Sequence, residues 1–69
     1  MESQKLTVLT HMRNNKNGIT SWGAISNYHI TRLAARIADL RQDGHTIETM
    51  PETQNNKRFA RYFLIKEAL

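Results

Sequence analysis

The sequence predicts a small, mainly α domain in which three helices precede a two-stranded β-hairpin. Before Gly44, three segments carry apolar residues at helical spacing and are separated by turn residues. After Gly44 the apolar period changes to alternation, in two segments rich in β-branched and aromatic residues. A chain of 69 residues has room for one compact hydrophobic core. We therefore expect a single domain over residues 1–69.

The charge balance is strongly basic. Ten Lys and Arg residues against six Asp and Glu residues give a net charge of +4, which favours a polyanionic partner. The absence of cysteine excludes a disulfide framework and a thiolate metal site, and it fits a reduced intracellular setting. No apolar run approaches the ~18 residues of a membrane span, and no signal-peptide segment is recognisable. We expect no membrane partner and a cytoplasmic location.

The first helix is expected at about residues 3–14. Ser3 or Glu2 lies near its N-terminal cap, where a short polar side chain can accept from free backbone N–H groups. The helical pattern fades over residues 13–18, where Asn and Gly tolerate positive φ and form a turn. The apolar residues that can share one side of this helix are Val8, Leu9 and Met12.

The second helix is expected at about residues 20–28, with Thr20 as its N-cap. Gly23 lowers helix stability by ~1 kcal/mol relative to alanine, and we interpret it as a sign of close approach between helices. Tyr28–Ile30 forms the turn into the third helix, which gives the spacing of a helix-turn-helix. The residues expected to face inward are Trp22, Ile25 and Ala24.

The third helix is expected at about residues 31–43. Thr31 has the chemistry of an N-cap, and Gly44 can take the left-handed conformation that ends a helix. Arg41 is rotated toward the edge of the core and is expected to be structural. The core-facing residues, at i, i+4 and i+7, are Leu33, Ile37 and Leu40.

Charge along the third helix opposes the helix macrodipole. Arg32 and Arg36 lie near its positive N-terminal end, while Asp39 and Asp43 lie near its negative C-terminal end. The reverse arrangement is preferred by ~0.3–1 kcal/mol per exposed charge, and the two arginines also repel each other as an i, i+4 pair. Both arginines in these positions indicate an anionic ligand. The alternative is a solvated helix face with an Arg36–Asp39 ion pair.

The β-hairpin is expected to consist of antiparallel strands at about residues 45–50 and 58–65. Met50–Lys57 contains the only proline and is expected to form the loop, because proline cannot donate to a strand ladder. Alternation places Tyr62 and Leu64 on one face, which we assign to the core; a register error of one residue would reverse the two faces. The residues expected to be largely buried are Leu33, Ile37, Leu40, Trp22, Ile25, Ile47 and Tyr62.

A family resemblance begins at Ile30–Ile37, which reads ITRLAARI, and continues through Asp39, Leu40, Arg41, Gly44, Ile47, Thr49, Ala60, Arg61, Tyr62 and Leu64. Through these residues the chain resembles small winged helix-turn-helix proteins that are common in phages and prophages, over roughly residues 4–64. The resemblance implies DNA binding, with a recognition helix at about 31–43 and a wing at about 45–65. His29 stands where that family usually has a glycine, and histidine is among the residues enriched at positive φ.

The candidate DNA-binding residues lie on the third helix, at the hairpin tip and at the start of the second helix. Side chains near the N-terminus of a recognition helix reach base edges, where arginine can bind guanine bidentately. A basic, amide-rich hairpin tip suits phosphate and minor-groove contact, and free N–H groups at a helix start can hold a phosphate. The candidates are Thr31, Arg32, Ala35, Arg36, His29, Asn55, Asn56, Lys57, Arg58, Thr20 and Ser21.

Each candidate also has an ordinary structural explanation. Ala35 fits plain helix propensity or packing, the hairpin tip fits a solvated loop, and Thr20 with Ser21 fits helix capping alone. The aromatic side chains fall on apolar faces and are expected in the core rather than as stacking platforms for bases; they are Trp22, Tyr28 and Tyr62.

These observations predict a protein that binds double-stranded DNA sequence-specifically and acts in a bacterial host cell as a small phage or prophage protein. The expected role is transcriptional regulation or, as a variant, architectural assistance to recombination in the manner of an excisionase. One small module buries limited area on DNA, so a second copy or a partner protein on DNA is also expected. When bound to DNA the protein would be associated with the nucleoid.

The main rival is a winged-helix module that contacts protein instead of DNA, through the acidic residues Asp39, Asp43, Glu48 and Glu52. RNA binding is a third alternative. An enzyme is not expected, because the histidines are isolated and there is no Gly-rich phosphate loop or assembled nucleophile–base set. We therefore expect no catalytic residues, no metal and no cofactor.

Overall fold

The computed structural model describes residues 3–68, and over these residues the chain forms three helices and three strands. The elements are α1 (Gln4–Asn14), β1 (Ile19–Thr20), α2 (Ser21–Tyr28), α3 (Leu33–Gln42), β2 (Thr46–Gln54) and β3 (Lys57–Lys66). The sheet is antiparallel with the order β1-β3-β2, so β3 is the central strand. The predicted sequence of three helices followed by an antiparallel hairpin is confirmed.

The prediction of a two-stranded sheet is wrong, because the sheet has a third strand, β1. Ile19 and Thr20 form β1 and pair antiparallel with Tyr62 and Arg61 of β3. A strand of two residues is too short to show a hydrophobic period, so the sequence pattern did not reveal it. Gly18 precedes this strand at a φ of +74°, and a Cβ atom there would overlap the carbonyl oxygen of Tyr62. The close approach of β1 to β3 therefore requires glycine at this position.

The predicted caps of the first two helices are confirmed. The Ser3 hydroxyl accepts a hydrogen bond from the Leu6 N–H at 3.3 Å, and the Thr20 hydroxyl accepts one from the Gly23 N–H at 3.1 Å. Glu2, the other candidate cap of α1, lies outside the described residues. Each cap satisfies one of the N–H groups that a helix start leaves without an intrahelical partner.

The third helix begins later than predicted, and Thr31 is not its N-cap. His29 adopts the left-handed conformation, with φ 57° and ψ 29°, and the N–H of Ile30 donates to the carbonyl of Ala24 at 3.1 Å. This tight turn carries the chain past Thr31, so Arg32 occupies the N-cap position and makes no side-chain capping bond. His29 thus takes the positive φ for which the resemblance implies a glycine.

The end of α3 is defined by Gly44, as predicted. Its φ is +102°, its N–H donates to the carbonyl of Arg41 at 3.0 Å, and the N–H of His45 donates to the carbonyl of Leu40 at 3.2 Å. This pair of bonds is a Schellman motif, which satisfies carbonyls at the helix end and turns the chain. The motif directs the chain from α3 into β2.

The hairpin loop is much shorter than predicted. β2 continues through Met50 and Pro51 to Gln54, and only Asn55 and Asn56 connect it to β3. Both asparagines have positive φ, 52° and 65°, which is typical of a two-residue type I′ turn. Pro51 lies in β2, not in a loop. An edge strand tolerates proline because one side of its backbone pairs with no other strand.

The predicted core faces of α1 and α3 are confirmed. Leu33, Ile37 and Leu40 are buried. Tyr62 and Leu64 pack against the core, which confirms the strand face assigned to it, but Tyr62 is only partly buried and not largely buried as predicted. The pairing of Ile47 with Leu64 places the buried residue of β2 on the same face. The buried hydrophobic residues are Val8, Leu9, Met12, Ile19, Ala24, Ile30, Leu33, Ile37, Leu40 and Ile47.

The predicted core face of α2 is wrong. Ala24 is fully buried, but Trp22 is 76% exposed and Ile25 is 38% exposed. Residues that are two apart on a helix point ~200° away from each other, so Trp22 and Ala24 cannot both face inward. Tyr28 is also exposed, and its hydroxyl lies 2.6 Å from Nδ1 of His11. The short helix therefore turns most of its apolar residues outward.

The residues after β3 return to α1 and to the end of α3. Nε of Arg13 donates to the carboxylate of Glu67 at 3.1 Å, and the N–H of Ala68 donates to Nδ1 of His45 at 2.9 Å. The hydrogen bond from Arg13 holds the pKa of the Glu67 carboxyl below its usual value. These contacts attach the end of the described chain to the helices.

Replacing Leu40 with alanine tests the core. Leu40 is 1% exposed at the centre of the core face of α3, so the substitution removes buried methyl groups and leaves a cavity. We expect the free energy of unfolding, measured by urea denaturation, to fall by ~2–5 kcal/mol. A loss below ~1 kcal/mol would show that this leucine is not packed as described.

Two glycine-to-alanine substitutions test the β1 contact. Gly18→Ala should lower the free energy of unfolding by at least ~1–3 kcal/mol, because alanine is strained at positive φ and its Cβ would overlap Tyr62. Gly23→Ala is the matched control. The nearest group to its added Cβ is the Thr20 hydroxyl at 3.4 Å, so no close helix approach exists there, contrary to the sequence interpretation.

Gly23→Ala should therefore be neutral or should raise the free energy of unfolding by up to ~1 kcal/mol, from the higher helix propensity of alanine. Thermal melts of both variants would settle the comparison. Equal effects of the two substitutions would contradict the close approach of β1 to β3.

Candidate nucleic-acid interface

Ion pairs within the domain neutralise several of its basic side chains. Four such pairs are present among residues 3–68. Lys5 Nζ lies 2.7 Å from Asp43 Oδ2, and this hydrogen-bonded contact raises the pKa of Lys5. The other pairs are Arg13–Glu67, Arg36–Asp39 at 3.2 Å and Arg61–Glu52 at 2.8 Å.

Three of the six cations outside these ion pairs lie at the predicted DNA-binding elements. Arg32, at the start of α3, makes no ion pair with any of residues 3–68, and neither do Lys57 and Arg58 at the wing tip. All three side chains are exposed. Lys16 and Lys66 are also without a carboxylate partner in the described chain. Positive charge without an internal partner is therefore available at both ends of the candidate interface.

Arg41 connects α3 to the wing, which confirms its predicted structural role. Its Nη2 donates to the carbonyl of Ile47 at 2.8 Å and to the hydroxyl of Thr49 at 2.9 Å, and its Nε also approaches that carbonyl, at 3.3 Å. Charged donors make hydrogen bonds stronger than neutral ones. The guanidinium therefore holds the last turn of α3 against β2 and fixes the angle between helix and wing.

The outward side of α3 is built from small side chains. Ala35 is half-buried and Ala38 is exposed, and both lie on the side opposite Leu33 at ~100° per residue. Thr31 is exposed just before the helix, and its hydroxyl has no hydrogen-bond partner within residues 3–68. Small residues let a helix approach a groove floor closely. Together with Arg32, this surface has the shape and charge that a major-groove contact needs.

Arg36 is less available than Arg32. Its side chain is 31% exposed, and Nε lies 3.2 Å from the Asp39 carboxylate, so the ion pair expected under the alternative interpretation is present. The Nε–H nevertheless makes no hydrogen bond, and the Nε atom is buried. The geometry thus orients this arginine along the helix flank, and its contact with a base edge stays a prediction.

The predicted wing and helix-start residues are mostly exposed. Asn55 and Asn56 form the turn at the wing tip, and their side chains are accessible there. Ser21 and His29 are exposed at the two ends of α2. The Thr20 hydroxyl is occupied by its capping bond to Gly23, so only its remaining hydrogen-bonding capacity is available to a ligand.

A groove joins the start of α2 to the wing, and we call it the α2–wing groove. It is open, has a volume of about 660 Å³, and is lined by Thr20, Trp22, Gln54, Asn55, Lys57, Arg58, Phe59 and Arg61. Four of these residues are not among the candidates that the sequence pattern identified, namely Trp22, Gln54, Phe59 and Arg61. The helical spacing of Trp22 and Ala24 was the signal that could have identified Trp22 as exposed.

Other kinds of site find no support in the described residues. Within residues 3–68, no group of three or more His, Cys, Asp or Glu side chains is placed to hold a metal ion. No helix in this part of the chain is long and apolar enough to cross a membrane. The candidate duplex interface consists of the start of α3 and the wing tip, and the α2–wing groove lies beside the wing tip.

Comparison with known protein families agrees with this architecture. The sequence model of a family described as "Winged helix-turn-helix domain" matches residues 3–67. The match runs from the cap of α1 to the residue after β3, so it covers all six elements. No curated protein and no solved structure matches the chain.

Arg41→Ala tests the link between helix and wing. The substitution removes the charged hydrogen bonds to Ile47 and Thr49, so we expect the free energy of unfolding to fall by ~1.5–3 kcal/mol. Amide hydrogen exchange should accelerate in β2 more than in α1. Gln42→Ala, a neighbouring exposed position, is the control and should change neither quantity. Unchanged exchange in β2 would contradict the proposed link.

Proposed function

Because this chain belongs to the winged helix-turn-helix domain family, which indicates DNA binding, we propose that it binds double-stranded DNA sequence-specifically. The start of α3 enters the major groove, and the wing tip contacts the phosphate backbone beside it. The observation that carries this proposal is the position of the unpaired cations, Arg32 on α3 and Lys57 with Arg58 on the wing. They lie where the two DNA-contacting elements of such a domain are expected.

The roles of these cations differ. Arg32 is exposed at the N-cap of α3, and an arginine near a recognition-helix start can bind guanine O6 and N7 bidentately. Lys57 and Arg58 lie at the tip of the wing, where their charge neutralises phosphates without reading sequence. Specificity therefore comes mainly from α3, while much of the affinity comes from the wing.

The finer role is that of a small, non-enzymatic phage or prophage protein in a bacterial cell, bound to the nucleoid. It acts as a transcriptional regulator or as an excisionase-like architectural factor. The resemblance of roughly residues 4–64 to small winged helix-turn-helix proteins that are common in phages and prophages supports this assignment. Because a single small module buries limited area on DNA, a second copy or a partner protein completes the specific site.

The rival function, a protein-binding module without DNA affinity, has less support from the acidic residues. Three of the four acidic residues that would carry such a contact are already in internal ion pairs, and these are Asp39, Asp43 and Glu52. Among residues 3–68 only Glu48 has no such pair. An acidic docking surface would have to break these pairs, whereas the basic surface is ready to bind.

Three alanine variants test the proposal. Arg32→Ala should lose ~1–3 kcal/mol of discrimination between a selected site and random duplex, because it removes a base-edge contact. Lys57→Ala should weaken binding to both DNAs about equally. The slope of log affinity against log salt concentration should fall by about 1 in magnitude, which is the share of one phosphate contact. Arg36→Ala is the matched control for Arg32 on the same helix and should change specificity less.

The measurement is a set of binding isotherms at several salt concentrations, on a site selected from a random duplex pool and on random duplex. If the wild-type protein shows no salt-dependent binding to duplex DNA, the proposed function is contradicted. If Arg36→Ala, rather than Arg32→Ala, loses discrimination, the base-reading role belongs to Arg36, the second of the two arginines that the helix-dipole argument from sequence pointed to.

A further inference from the structure

An exposed aromatic ring stands beside unpaired cations in the α2–wing groove. The indole of Trp22 is 76% exposed, although large aromatic side chains are usually well buried. Lys57 and Arg58 line the same groove. No Asp or Glu is among the described residues that line it. A ring face combined with uncompensated positive charge is how proteins bind unpaired nucleotides.

None of the described residues that line the groove belongs to α3. Side chains alternate along β3, so Phe59 and Arg61 lie on the sheet face opposite Tyr62, and Tyr62 packs against the core. Arg61 is fixed on this outer face by Glu52 at 2.8 Å and by the carbonyl of Asn17 at 3.1 Å. A ligand in the groove therefore differs from the base pairs that α3 would read.

We propose that the α2–wing groove binds an unpaired nucleotide, whose base stacks on Trp22 while the flanking phosphates contact Lys57 and Arg58. This inference rests on the proposed function, from which it takes DNA as the class of ligand. It adds that the DNA bound in this groove is single-stranded. Inside a duplex each base hides both ring faces against its neighbours, so an indole there can stack only on a base that has left the stack. The groove volume of about 660 Å³ lies within the ~300–1,000 Å³ of small-molecule sites.

Stacking on a ring depends little on base identity, because every base has a π-face. The amide side chains of Gln54 and Asn55, which also line the groove, supply donors and acceptors for a base edge. The groove therefore suits an unwound or frayed stretch of DNA next to a specific duplex site. The wing cations contact phosphates of both the duplex and the unpaired strand.

The intrinsic fluorescence of the protein reports on this site directly, because Trp22 is the only tryptophan. The probes are an oligothymidine strand, a strand of equal length made of abasic residues with the same phosphates, and a blunt-ended hairpin duplex. Oligothymidine should quench Trp22 and bind about tenfold or more tightly than the abasic strand, since stacking supplies that difference.

Variants are measured by the anisotropy of labelled DNA, with circular dichroism to confirm folding. Trp22→Ala should lower affinity for oligothymidine about tenfold or more, while Trp22→Phe should keep much of it because a ring remains. Ile25→Ala is the control, since Ile25 is exposed on the same helix but does not line the groove. Duplex affinity should be unchanged in all three variants.

Equal binding of oligothymidine and the abasic strand would overturn the proposal, because the base would then contribute nothing. Quenching by the blunt duplex, with loss of duplex affinity in Trp22→Ala, would also overturn it and would place Trp22 against the duplex itself, along its backbone or on its terminal base pair. Loss of all duplex binding by the wild type, with oligothymidine binding intact, would contradict the proposed function and leave this site standing.

Discussion

The pairing of Ile19 and Thr20 with Tyr62 and Arg61 is the contact on which the arrangement of the interface depends. Thr20 ends β1 and also caps α2, because its hydroxyl accepts the N–H at the third position of the helix. The central wing strand therefore determines where α2 begins. Gly18 makes the contact possible, since any larger residue would overlap the β3 backbone. Through this short strand the wing is attached to the helix-turn-helix at a point remote in sequence.

A second attachment lies at the other end of the wing, where Arg41 holds β2 against the last turn of α3. With both attachments in place, the relative position of α3 and the wing is set before any ligand binds. This matters because phosphate contacts fix the register in which base edges are read. The internal ion pairs neutralise Lys5, Arg13, Arg36 and Arg61, whereas Arg32, Lys57 and Arg58 at the interface stay available.

The parts of the fold that the sequence could predict are those with a clear period or a local cap. The core face of α3 repeats over more than two turns, and the caps use short-range hydrogen bonds, so both followed from pattern. β1 has only two residues, which are too few to show a hydrophobic period, so it is recognisable as a strand only from its pairing with β3. Pro51 is tolerated because β2 is an edge strand, a fact of sheet order. In the candidate site, exposed Arg32 was predictable, but the α2–wing groove arises from long-range pairing. Trp22 was misplaced because it was assigned to the core together with Ala24, although residues two apart on a helix cannot both face inward.

The central claim is that the start of α3 and the wing tip bind one DNA duplex together. The most direct measurement is a titration of isotope-labelled protein with a short specific duplex, followed by amide chemical shifts. The account predicts that shifts change at residues 31–36 and at 55–58, with the same midpoint for both segments. Changes confined to one segment, or concentrated on the outer sheet face around Met50 and Ile65, would contradict it.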